Sequence, residues 1–159
     1  MFRNTVCCLL FAQAEMTIMR KRRSFNDKRR LMEPVNQEAL DSIVDIIRYG
    51  GNPEHKRNPG DFGLTPPAQP RPDKSLCDEI GVFRKAEAER ILRNGIKRGL
   101  VSERWSQGFP QNIWSVTADG KPVEAQLENA ALGVYHGYPM PQSDYFAQAV
   151  RQRWSETDG

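Results

Sequence analysis

The sequence predicts an α+β domain: helices packed on one face of a three- to four-stranded antiparallel sheet, with one long Pro/Gly-rich loop. Three observations predict it. Apolar residues recur at helical spacing over 40–47 and again over 83–96. The period then falls to two between 112 and 138, with the hairpin signal Asp119-Gly120 in the middle. Between the helical stretches stand Pro53, Pro59, Pro66, Pro67, Pro70 and Pro72, which forbid a helix there.

Residues 1–33 read as a basic, disordered N-terminal tail, and 34–159 as a single α+β domain. From Arg20 to Arg30 seven side chains are basic (Arg20, Lys21, Arg22, Arg23, Lys28, Arg29, Arg30), against the single acid Asp27. The net charge is only +3, so the positive charge is concentrated. Such a run favours polyanions through counterion release, and is equally compatible with a solvated tail. Val6–Phe11 is apolar and Ala12-Gln13-Ala14 resembles a signal-peptidase site, but the apolar stretch is short of the about 20 residues that span a bilayer. Met16 and Met19 follow at once as alternative starts. Cys7, Cys8 and Cys77 have no metal-ligand spacing, and an odd number gives no disulfide framework. These features predict a cytoplasmic protein without membrane attachment.

The first helix opens at Pro34 and Asn36, with Asn36 as N-cap, and shows Leu40, Ile43, Val44 and Ile47 as one apolar stripe. Gly50-Gly51 stops it. From Asn52 to Gly81 the sequence predicts an ordered, extended loop wrapped on the domain and pinned by Phe62, Leu64 and Leu76. The second helix spans Phe83–Arg98, with Phe83, Ala88, Ile91, Leu92 and Ile96 on its apolar face and Gly99 at its end. Its internal Gly95 costs about 1 kcal/mol relative to alanine. Strands follow at 100–105, 112–117, 122–128 and 132–138, and Tyr145–Trp154 closes the domain as a helix.

Two short stretches carry candidate chemistry. The first is His55-Lys56-Arg57, held between Pro53 and Pro59 and followed by Gly60-Asp61-Phe62-Gly63, whose glycines permit backbone N–H groups to approach a phosphate. The second is Tyr135-His136-Gly137-Tyr138, fixed by Pro139 and Pro141. The chain has only two histidines, and one lies in each stretch. Imidazole, with an ordinary pKa of about 6.5, suits proton transfer near neutrality. Tyrosine offers a face to a base and a hydroxyl to a phosphate. Each stretch by itself also fits a plainer part: a solvated basic loop, and an aromatic corner with a structural histidine.

Together they meet the needs of RNA cleavage without a metal. One group takes the proton of the ribose 2′-OH, another protonates the leaving 5′ oxygen, and cations stabilise the extra charge on phosphorus. The expected catalytic residues are His55, Lys56 and His136. Arg57, Lys74, Tyr135 and Tyr138 are the expected substrate-binding residues. No HExxH, CxxC or paired-aspartate motif is present, so neither a metal nor another cofactor is expected.

Helices followed by a curved antiparallel sheet with these His and Lys candidates resemble the small bacterial toxin ribonucleases: barnase, EndoU, colicin D and the RelE group. The resemblance covers roughly 36–154 and is architectural. It implies two histidines and a lysine at His55, His136 and Lys56 in the EndoU manner, or Lys56, Arg57 and Tyr135 or Tyr138 in the RelE manner. It also implies RNA as substrate and a neutralising inhibitor protein as partner. A competing reading is a winged-helix-like DNA binder, or an antitoxin-type interaction protein, without catalysis. There the stretch Ala88–Val101, with Arg84, Lys85, Arg90, Arg93, Lys97 and Arg98 on a basic side, would face DNA. Val116–Gly120 would form the wing, and His136 would be structural.

Overall fold

The computed structural model describes residues 29–158. The basic run up to Lys28, the apolar stretch with Cys7 and Cys8, and the alternative starts lie outside these residues. Among the described residues there are three α-helices: α1 (Gln37–Ile43), α2 (Lys85–Lys97) and α3 (Phe146–Glu156). Six strands accompany them: β1 (Arg48–Tyr49), β2 (Trp105–Ser106), β3 (Phe109–Pro110), β4 (Asn112–Val116), β5 (Pro122–Asn129) and β6 (Val134–Pro139). The class is α+β. The main sheet has the order β1-β6-β5-β4, and β2 and β3 form a separate two-stranded ribbon.

α1 begins where Asn36 caps it, its side chain accepting from the backbone N–H of Ala39 at 3.1 Å. Leu40 and Ile43 are buried. The helix ends earlier than its apolar stripe suggests. Ile47 is fully buried beyond the helix, in the turn that delivers the chain into β1. That strand pairs in parallel with β6, whereas β4, β5 and β6 are antiparallel. The sheet is therefore mixed rather than purely antiparallel. Parallel pairing needs a long connection, and here everything between Gly50 and Gly133 supplies it.

α2 lies directly on the backbone of β4. A Cβ added at Gly95 would come within 2.2 Å of the Trp114 carbonyl oxygen, so the helix can approach this closely only because residue 95 has no side chain. The glycine that weakens the helix in isolation makes its packing possible. Gly99 ends α2 with φ +72, the left-handed conformation that glycine adopts most readily.

Ile113 and Trp114 are adjacent in β4 and both are buried, so both faces of the sheet are covered. One face, with Ile113, Ala125 and Tyr135, packs on Leu40, Ile91, Leu92 and Ile96 of α1 and α2. The other carries Trp114 against Leu100, Met140 and the α3 residues Phe146, Ala147 and Val150. α3 thus sits opposite α1 and α2, which corrects the expectation that the helices share one face. An apolar stripe announces a helix but not the face of the sheet it will cover.

The expected strand at 100–105 is only partly regular. Val101 bridges Ile113, and the N–H of Trp114 donates to the Leu100 carbonyl at 2.8 Å. Leu31 bridges Ser102, and the Met32 N–H donates to the Val101 carbonyl. The ordered domain therefore includes residues 29–33, assigned above to the tail. The Arg29 guanidinium reaches Glu124 at 2.5 Å and Asp144 at 2.6 Å. The proline-rich segment is ordered through 3-10 turns at Pro53–His55, Pro59–Phe62 and Cys77–Ile80. Phe62 and Cys77 are buried in the first core, and Leu64 packs against it. Among the described residues, no helix is long and apolar enough to cross a membrane.

Gly95→Ala should force α2 away from β4. Overpacking of this kind costs about 1–3 kcal/mol, far more than the small gain in helix propensity. Chemical denaturation should show this loss; equal or higher stability would mean that α2 does not lie on β4.

Candidate functional site

β6 exposes one edge. β1 pairs with it only as far as Tyr135, so among the described residues no strand lies beside the polar backbone groups of Gly137 and Pro139 on that edge. Side chains take the place of the missing strand. The Tyr49 hydroxyl, two residues of reach beyond the end of β1, donates to the Gly137 carbonyl at 3.3 Å and accepts from its N–H at 3.2 Å. Cys77 Sγ lies 3.6 Å from the same carbonyl, and Ser75 Oγ donates to the Pro139 carbonyl at 2.9 Å. Gly137 leaves room for Tyr49, since a Cβ there would lie 3.3 Å from that ring. It does not make room for a ligand.

This edge anchors the proline-rich loop beside β6 and brings the two histidines together. Residues of a strand alternate between faces. In β6 Tyr135, Gly137 and Pro139 are buried, while His136 and Tyr138 are half-buried on the opposite face. The Asn52 side chain caps the turn at Pro53–His55. That turn sets the His55 ring on Tyr138, with centroids 5.0 Å apart and planes 23° from parallel. His55 and His136 line one cleft of about 390 Å³ together with Lys74, Tyr138, Ser75 and Gln126. Asn52, Asp73 and Pro141 complete its wall.

The protonation of His55 follows from one contact. Its Nδ1 lies 2.7 Å from the Ser75 carbonyl oxygen. A carbonyl can only accept, so Nδ1 carries the proton, and the neutral ring keeps its lone pair on Nε2. Burial holds His55 below the ordinary imidazole value, against the opposing pull of the Ser75 carbonyl, and Lys74 and His136 lower it further. Burial also lowers His136, partly offset by Glu128, with Lys74 adding to the depression. Both rings are therefore predominantly neutral at neutral pH. Burial raises the Tyr138 phenol far above its ordinary value; its oxygen accepts from Gln126 Nε2 at 2.8 Å.

Of the residues expected at the site, His55, His136, Lys74 and Tyr138 are brought to the cleft. Lys56 is not. It is buried, with Nζ 3.0 Å from Asp78 and 3.5 Å from Asp61. The ammonium also sits 4.6 Å from the centre of the Phe62 ring. The chain becomes extended at Lys56, φ −129 and ψ 137, which turns its side chain away from that of His55. Arg57 is exposed outside the cleft, its N–H held by Asp78 at 2.9 Å. Tyr135 is fully buried and donates to the Pro110 carbonyl at 2.7 Å, so it cannot meet a base. Gly60–Gly63 form a turn around the buried Phe62 and do not reach the cleft.

Sequence reasoning missed Ser75, Gln126 and Glu128. Gln126 had a signal: it stands opposite His136 in the β5–β6 ladder, a pairing that follows once the turn at Asn129 is placed. Behind the cleft, the fully buried Glu124 accepts from Asn112 Nδ2 at 2.7 Å and pairs with Arg29. On the other side of the domain, α2 uses much of its basic side internally. Arg93 pairs with Glu89 at 2.5 Å and Arg98 with Asp158 at 2.7 Å, which does not favour the DNA-facing role. Among the described residues, no three His, Cys, Asp or Glu side chains are grouped to hold a metal ion.

Lys56→Ala should destabilise the fold by about 3 kcal/mol, the usual result of stripping one member from a buried ion pair. Asp78 gives this loss its pH dependence. Burial works to raise its pKa, but the Arg57 N–H and Lys56 outweigh it, so the net shift is downward. The pair's contribution is complete above the ordinary aspartate range and disappears as pH falls through the lowered folded value. Wild type and variant should converge in acid. A gap that persists there would rule out the Asp78 pairing as its origin. Compared with known proteins, the chain matches no family model, no curated protein and no solved structure.

Proposed function

We propose that the protein is a metal-independent endoribonuclease that cleaves RNA by 2′-OH transesterification. The observation that supports this is the convergence of both histidines of the chain on one cleft, beside Lys74. One imidazole removes the proton of the ribose 2′-OH. The 2′ oxygen attacks phosphorus, and the bond from phosphorus to the 5′ oxygen breaks. The other imidazole gives its proton to that oxygen. The products are a 2′,3′-cyclic phosphate and a 5′-hydroxyl. Lys74 takes the role first assigned to Lys56, stabilising the charge that develops on the non-bridging oxygens.

The strand has a path beyond the scissile phosphate. Lys74 also lines a second groove, with Arg57, Arg71 and the prolines at 53, 59, 66, 67, 70 and 72. Arg57 therefore keeps a substrate-binding role, at a neighbouring phosphate rather than the reacting one. Contacts of that kind act on affinity and are weakened by salt. Arg57→Ala with Arg71→Ala should raise KM, and more so at high salt, while kcat is nearly retained; an unchanged KM would remove the groove from the path.

RNA should be cleaved in the presence of EDTA, and His55→Ala and His136→Ala should each slow cleavage by at least about 10²-fold. Both imidazoles titrate below the ordinary value. The product of one neutral and one protonated ring is greatest midway between their pKa values, so kcat/KM should peak below about pH 6.5. Intact RNA across that range, with purified folded protein, would dispose of the reading.

A further inference from the structure

His136 leaves one polar atom unexplained. Its Nδ1 is buried and, among the described residues, has no hydrogen-bond partner, although the side chain as a whole is 20% exposed. The exposed part is therefore the opposite, Nε2-bearing edge, the one that the cleft can reach. Beside the orphaned Nδ1 stands a carboxylate: Glu128 Oε2 lies 3.7 Å away, an ion-pair distance rather than the about 2.8 Å of a charged hydrogen bond.

The fold keeps Glu128 there. Gln126 faces His136 across the ladder, and Glu128, two residues on, belongs to the same face of β5. The register shifts between Leu127 and Asn129, so the strand is bent at this carboxylate. The other charged or titratable groups facing His136 across the cleft are Lys74, His55, Asp73 and Tyr138. Asp73 is exposed and paired with Arg71 at 3.7 Å.

The two imidazoles therefore have different partners. The Nδ1–H of His55 goes to a neutral carbonyl, which fixes the tautomer without contributing a charge. The Nδ1 of His136 faces an anion, which favours the protonated ring specifically. We propose, resting on the ribonuclease reading, that Glu128 is the positioning residue for His136: it holds Nδ1–H, making His136 the general acid for the leaving 5′ oxygen and His55 the general base for the 2′-OH. In the reaction His55 Nε2 gains the 2′ proton, while His136 Nε2 loses its own and becomes neutral, with Nδ1–H still directed at Glu128. Solvent returns the rings to their starting states.

Glu128→Gln keeps the size of this half-exposed side chain and removes its charge. NMR titration of the two imidazoles in the folded protein, without RNA, should show His136 titrating at lower pH in the variant, while His55 does not fall and moves upward if at all, because a less charged His136 opposes it less. An unchanged His136 overturns the proposal whether or not the protein cleaves RNA. Cleavage kinetics supply the second arm. In Glu128→Gln the alkaline limb of the pH profile should move to lower pH, giving a several-fold loss above the optimum and none well below it. Movement of the acid limb instead would reverse the assignment. The third arm uses a dinucleotide with sulfur at the bridging 5′ position, whose leaving group needs no proton. His136→Ala should recover most of its lost rate on that substrate and His55→Ala should not; the opposite pattern overturns the roles. A shifted His136 in a protein that cleaves neither substrate would remove the catalytic role with the ribonuclease reading and leave only the ion pair.

Discussion

The unpaired edge of β6 determines most of what is distinctive in this fold. A strand carrying Gly137 and Pro139 cannot leave their carbonyls buried and unmet, because each orphaned group would cost about 1–3 kcal/mol. β1 is only two residues long and cannot reach them. The proline-rich loop replaces the missing strand with Ser75 and Cys77, while Tyr49 extends the reach of β1 itself. Once Ser75 Oγ is fixed on Pro139, its own carbonyl is fixed as well, and that carbonyl holds the His55 ring. One residue thus satisfies the edge of the sheet and sets a tautomer in the cleft. The thirty irregular residues between Asn52 and Gly81 are the means by which His55 is delivered to β6.

Behind the cleft the sheet is also held by charge. Glu124 is buried beside Tyr138 in the ladder. Burial raises its pKa, and Arg29 works against that rise. Arg29 arrives from a segment that precedes α1, and it also binds Asp144 just ahead of α3. A single guanidinium therefore ties the chain before the first helix, the central sheet and the start of the last helix together. Both carboxylates are bound by one nitrogen, Nη2. The strand paired with Tyr138 is thereby constrained on the face that carries Glu124, next to the stacking surface for His55.

Much of this was legible in the sequence, and what was not follows a physical pattern. Helix positions, the hairpin at Asp119-Gly120 and the wrapping loop follow from periodicity and proline placement, which are local. The pairing of His136 with Tyr138 on one face follows from the period of two. The same rule should have set Tyr135 aside, since it has the parity of Gly137. Lys56 adjoins His55 in sequence but not in space, because the extended backbone at that residue separates the two side chains. Lys74, seemingly remote, is the lysine that reaches the cleft, and only the anchoring at Ser75 explains why. The side of the sheet taken by α3, the parallel pairing of β1 and the fit of Gly95 against Trp114 are all long-range, and no local pattern encodes them.

The charges of the cleft suggest how binding and chemistry are linked on the proposed reading. One buried and one half-buried imidazole beside an ammonium resist protonation, first because burial disfavours the charged ring and then because each added positive charge opposes the next. A phosphate entering beside Lys74 reverses that balance, bringing negative charge to the groups that lacked it. Thermodynamic linkage requires that an anion preferring the protonated cleft also draws a proton into it. Of the two rings, the one already facing a carboxylate is the better host for that proton, and the one held by a neutral carbonyl is the poorer. Substrate binding would therefore establish the mixed state, one ring charged and one neutral, that the reaction requires. The free protein, with both rings neutral, would remain in a resting form.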